Sequence, residues 1–125
     1  MVGSIGKEWS VTLEEDQTEA EIDFTYHPSN FFFYAFAKVE EGSGTVTISF
    51  QGGWDDYWET LFSKDVSDTD GVNFISNFDS QRKDDLDYLE GERVPLIWPK
   101  HRFRVTRESA GDEITVKIFT RERHQ

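Results

Sequence analysis

The strongest constraint on this chain of 125 residues is a hydrophobic period of two. Trp9, Val11 and Leu13 alternate with Ser10, Thr12 and Glu14, and Ile22, Phe24 and Tyr26 alternate with Glu21, Asp23 and Thr25. Val46, Ile48 and Phe50 alternate with Thr45, Thr47, Ser49 and Gln51. Successive side chains of a strand point to opposite faces, so each segment has one apolar and one polar face, as half-buried antiparallel strands do. The run from Phe31 to Val39 differs. Phe31, Phe33, Ala35, Ala37 and Val39 fill one face, while Phe32, Tyr34 and Phe36 fill the other. A strand apolar on both faces is either central and covered or has its second face against a partner. Phe32, Tyr34 and Phe36 are therefore candidate contacts with a sister subunit.

Turn chemistry cuts the chain into eight candidate strands: 8–14, 20–27, 31–39, 44–51, 57–63, 72–76, 101–108 and 112–120. His27-Pro28-Ser29-Asn30 separates the second from the third, Gly42-Ser43-Gly44 predicts a tight hairpin into the fourth, and Gln51-Gly52-Gly53 predicts its end. Eight short strands with little helix predict an all-β antiparallel sandwich, jelly-roll-like, as one domain over 8–121. Residues 1–7 read as a flexible leader and 122–125 as a tail. The stretch 77–100 reads as a long loop, or as a short helix Ser80–Glu90 capped by Asp79, followed by Leu96-Ile97-Trp98 between Pro95 and Pro99.

The last two strands, joined at Ser109-Ala110-Gly111, predict a hairpin in which Phe103 faces Ile118 and Val105 faces Val116. Its other face would carry Arg102, Arg104, Lys117 and Arg121, with Arg104 directly opposite Lys117. Like charges so placed need acid beside them. The chain has acid to spare: 25 Asp and Glu against 13 Lys and Arg, a net charge of −12. Up to Glu92 there are 21 acids and 5 bases; from Arg93 on there are 4 acids and 8 bases. An acidic body with a basic last quarter suits protein–protein contact through the four cations and disfavours nucleic acid or an anionic membrane.

Phe, Trp and Tyr make up 15% of the chain, enough ring surface for a core despite the charge. Cys is absent, which excludes disulfides and thiolate metal sites. No apolar run is long enough to span a membrane, and residues 1–7 carry no secretory signal pattern, which predicts synthesis in a cytoplasm.

Reactive constellations do not emerge. His27, His101 and His124 have no metal-ligand spacing and read as solvated. Aligning a calcium loop on Gly71 puts Val66 at the first ligand position and Asn77 at the last, so Asp65, Asp68 and Asp70 do not form that motif and Asp68-Thr69-Asp70-Gly71 reads as a turn. No catalytic residue, metal or cofactor is therefore assigned, and no enzyme is expected. Trp54, Tyr57, Trp58 and Trp98, with Asp55, Asp56 and Glu59 nearby, are candidates for a glycan platform, since rings stack on sugars and carboxylates accept hydroxyl hydrogen bonds. Against this, Trp58 and Phe62 fit core positions on an alternating strand.

Gly44-Thr-Val-Thr-Ile-Ser-Phe50, Trp58-Glu-Thr-Leu61, Asp70-Gly-Val-Asn-Phe74, Phe103-Arg-Val-Thr-Arg107 and Ile114-Thr-Val-Lys-Ile118 together resemble small β-sandwich virion proteins of tailed phages, of the head-decoration, head-fibre or tail-associated type. The resemblance spans the last two-thirds of the chain and departs in Ser80–Glu92 and in the Phe-rich strand. It implies a non-enzymatic structural component of a virion. Such a component would bind other virion proteins or sister subunits, as a homo-oligomer or on a lattice. The alternative is a carbohydrate-binding module or receptor-binding sandwich.

Overall fold

In the computed structural model, residues 4–25, 32–69, 73–74, 94–95 and 98–123 are described. They form β1 (Ser4–Leu13), β2 (Glu19–Phe24), β3 (Phe32–Glu41), β4 (Thr45–Trp54), β5 (Tyr57–Ser67), β6 (Asn73–Phe74), β7 (Val94–Pro95), β8 (Lys100–Thr106) and β9 (Ile114–Arg123). One sheet has the order β1-β9-β3-β6, with β7 also on β3; the other has the order β2-β8-β4-β5. Every pairing is antiparallel. This is the expected all-β sandwich, and the two orders are jelly-roll-like.

The alternation explains the packing. Leu13, Phe33, Ala35, Ala37, Val46, Ile48, Phe50, Phe103, Val105, Ile114, Val116 and Ile118 all face inward with at most 1% of their surface exposed. Phe50 is the hub, with ring centres 4.5 Å from Phe33, 5.0 Å from Phe103, 5.3 Å from Phe24 and 5.4 Å from Phe62. Burying one such side chain contributes about 1.5–3 kcal/mol, whereas an exposed ion pair contributes about 0–1 kcal/mol, so the ring cluster rather than the surface charge holds the sheets together.

Two expected hairpins are crossovers instead. β3 and β4 lie in different sheets, as do β8 and β9. Among the described residues, β4–β5 is the one consecutive pair that hydrogen-bonds. β9 finds ladders on both sides, with β1 and β3, and β8 finds them with β2 and β4. Phe103 and Ile118 still meet the same core, but from opposite layers.

Boundaries also shift. β1 begins at Ser4, so part of the expected leader pairs with Arg121–Arg123, and β9 extends to Arg123 into the expected tail. β4 continues through Gly52 and Gly53 to Trp54 rather than ending there. The ladder slips between Phe50 and Gln51, leaving Leu61 as an extra residue on β5. β5 is an edge strand, and half-buried Lys64 stands at an alternate position between Phe62 and Val66, a charge that discourages uncontrolled pairing at the edge. The His27–Asn30 turn, the Ser80–Glu90 helix, Asp70-Gly71, Leu96-Ile97, His27 and His124 lie outside the described residues, as does most of the 77–100 loop.

Candidate functional site

The four aromatic platform residues gather at the β4–β5 turn, on two faces of it. Trp54 and Tyr57 are cross-strand partners around the two-residue turn Asp55-Asp56, with Asp55 in the left-handed region at φ 55°. The next pair along the same face is Gly52 with Glu59. The Trp98 indole lies on Gly52, where a Cβ would fall 2.3 Å from its Cγ, and stacks with Tyr57 at 6.3 Å between ring centres and 29° between planes. Trp58 pairs with Gly53 on the opposite face, where a Cβ would fall 2.7 Å from the indole. The Arg102 guanidinium sits 3.9 Å from the Trp58 ring centre and the Lys100 ammonium 4.8 Å from it.

Trp58 is thus neither the inward core residue that the alternation allowed nor an open platform. It is half-buried on the outer sheet face beneath two cations. Arg102 Nε donates to Gln51 Oε1 at 2.6 Å, and Gln51 Nε2 donates to Thr60 Oγ1 at 3.1 Å. Lys100 Nζ also donates to the Asp55 carbonyl, fastening β8 to the turn. Sequence reading missed the glycines as seats for the indoles, although adjacent glycines within a strand signal close approach of another group.

The basic residues do not share a face. Arg102 and Arg104 belong to β8, Lys117 and Arg121 to β9, and so to different sheets. The chain supplies acid for three of them itself: Arg102 is 3.8 Å from Glu21, Arg104 pairs with Glu19, and Lys117 is 3.8 Å from Glu8 and 3.3 Å from Glu40. These three members of the basic last quarter therefore meet acids of the chain's own body.

On the outer face of the first sheet, Phe36 and Phe119 are cross-strand neighbours, both half-buried. They line a shallow groove with Gly6, Lys7, Glu8, Thr120 and Arg121. Phe32 and Tyr34 occupy the alternate positions on β3, in register with Arg123 and Arg121. The other face of this strand, Phe33, Ala35 and Ala37, is core. Phe119 is the aromatic partner missed from sequence.

His101 is not solvated. It occupies an inward position on β8 with 2% of its surface exposed and stacks on Phe50 at 5.3 Å and 11°. Burial disfavours the imidazolium and lowers its pKa from 6.5 to about 4. At the opposite end of the sandwich, Arg107 donates to the carbonyls of Glu14, Gln17 and Asp112. Glu113 there has its carboxyl pKa raised by a hydrogen bond with Glu14 and by that residue's charge. Among the described residues, no three His, Asp or Glu side chains are placed together to hold a metal ion.

The fold and these surfaces define a small jelly-roll-like sandwich. No protein-family model matches the chain, and no curated protein matches it. Solved structures that share its fold include the following two. The Bacillus endospore appendages, described as a novel family of disulfide-linked pili, align over 99% of this chain and 89% of theirs, with TM-score 0.56 and 14% identity. The crystal structure of PirA aligns over 94% of this chain and 93% of its own, with TM-score 0.50 and 16% identity. At such identities the likeness is one of fold, and neither neighbour is a tailed-phage protein.

Proposed function

We propose that this protein is a non-enzymatic structural subunit that works by protein–protein contact within an assembled particle. The observation that carries the reading is the Phe36–Phe119 pair on the outer face of the first sheet. Aromatic side chains on a sheet face already backed by a full core contribute most when a second surface covers them. The occupant is a second copy of this chain, seated on the groove lined by Phe36 and Phe119. That a pilus subunit uses the same fold supports the reading. A disulfide linkage between subunits does not transfer, since this chain has no Cys. The finer setting, a tailed-phage-like virion, rests on the strand and turn sequences.

Sedimentation velocity of the full chain tests this. The wild type should sediment as an oligomer whose population rises with concentration, and Phe36→Asp should sediment as a folded monomer with an unchanged far-UV spectrum. A wild type that stays monomeric at high concentration would overturn the reading, as would a Phe36→Asp variant that assembles normally.

A further inference from the structure

Trp54 and Tyr57 are the large hydrophobic side chains that the described surface leaves open, 66% and 59% exposed. We propose that the tip they form with Trp98 is a carbohydrate-binding site. It would hold the apolar face of a pyranose on the rings while Glu59 and the turn carboxylates of Asp55 and Asp56 accept hydroxyl hydrogen bonds. This goes beyond the assembly reading and does not rest on it.

Register gives the site one face. Trp54 with Tyr57, and Gly52 with Glu59, are successive same-face pairs, and Trp98 lies on Gly52 and stacks on Tyr57. The glycine acts as a floor: any larger residue there would push the indole away. The site is also held in place before a ligand arrives. Lys100 fixes the turn through the Asp55 carbonyl, and on the opposite face Arg102 and Lys100 clamp Trp58. A prearranged surface loses little conformational freedom on binding.

The chemistry selects among ligands. Nucleic acid also stacks on rings, but its phosphates would meet Asp55, Asp56 and Glu59, all exposed, in a chain of net charge −12. A quaternary ammonium is held by rings set as walls around it. Here the Tyr57 and Trp98 ring centres are 6.3 Å apart, too close for a cation to sit between their faces. A purely apolar protein anchor would gain nothing from the flanking carboxylates and would have to desolvate them. Rings plus acceptors match a neutral polyol, whose CH groups meet the rings and whose hydroxyls donate to the acids.

Tryptophan fluorescence of the full chain, titrated with cellohexaose, chitohexaose and mannohexaose and backed by a printed glycan array, tests the site. A saturable change with at least one glycan is expected, weakened roughly tenfold or more in Trp54→Ala and in Tyr57→Ala. Both side chains are exposed, so both variants should keep the wild-type far-UV spectrum. Phe36→Asp should bind the glycan as the wild type does, which separates this site from the assembly face. Absence of binding across the array overturns the proposal, and so does binding that survives both substitutions. Variants at Trp54 and Tyr57 that alter sedimentation but no glycan affinity would mark the tip as a protein contact and overturn it as well.

Discussion

The guanidinium of Arg102 lies 3.9 Å from the centre of the Trp58 ring while its Nε donates to Gln51. Arg102 thus makes a cation–π contact and a hydrogen bond on the outer face of the second sheet, with Glu21 3.8 Å away. Lysine keeps the charge but has neither the planar face nor the Nε donor. Arg102→Lys is expected to lower stability by about 1–2 kcal/mol, read as a lower urea midpoint at unchanged slope. Arg104→Ala, which removes an exposed pairing with Glu19, should cost less than about 1 kcal/mol. The reverse order would show that charge pairing, not ring contact, dominates this face.

Gly52 is the second test of the hairpin tip. An alanine Cβ would fall 2.3 Å from Trp98 Cγ and 2.5 Å from Cδ1, inside any real contact distance. The indole must leave its seat, so Gly52→Ala should destabilise the protein by about 1–3 kcal/mol and shift the tryptophan emission. In Trp98→Ala the obstruction is gone. Adding Gly52→Ala to that background should therefore cost much less, a non-additivity readable in a double-mutant cycle. Additive costs would place the effect in the strand itself.

The strand positions were legible because the pleat imposes a period of two whatever the topology; Phe33, Ala35 and Ala37 read as one face and form one. Which strands pair was not legible, because a Gly-containing link serves a hairpin and a crossover alike. The juxtaposition of Arg104 and Lys117 in the hairpin reading was itself a warning. Placing β8 and β9 in different sheets separates that pair: Arg104 meets Glu19, while Lys117 stands opposite Lys38 on β3 with Glu8 and Glu40 as the acids beside it. At the candidate site, the ring types were visible in sequence and their sides were not. Trp54 and Tyr57 share a face because the turn between them has two residues, and Trp58, one residue on, must take the other. The seating of Trp98 on Gly52 depends on a contact across 46 positions, beyond any local pattern.

Arg107 ties two turns together at the other end of the sandwich. Its guanidinium donates to Glu14 and Gln17, between β1 and β2, and to Asp112, between β8 and β9. No single-point cation reproduces that fork, so Arg107→Lys should loosen both turns together. We expect a stability loss of about 1–2 kcal/mol, with faster amide exchange at Gln17 and Arg107, whose backbone amides donate to Glu14 and Thr18. Faster exchange in only one of the turns would mean that the arginine does not couple them.

His101 sets a pH dependence whose sign follows from burial. Its folded pKa, about 4, lies below the ordinary 6.5, so the unfolded chain takes up the proton first as pH falls. The neutral ring's contribution is complete above pH 6.5 and is lost progressively down to about pH 4. For a shift of this size the loss is at most about 3 kcal/mol. The many carboxylates titrate nearby, so the comparison must be with His101→Phe, which keeps a ring stacked on Phe50 and removes the titration. Urea unfolding of both proteins at intervals between pH 7 and pH 4 should show the wild type losing stability relative to the variant as acid is added. A constant difference across that range would mean that His101 takes up its proton equally readily in the folded and unfolded protein, and that the stack on Phe50 tolerates the charge.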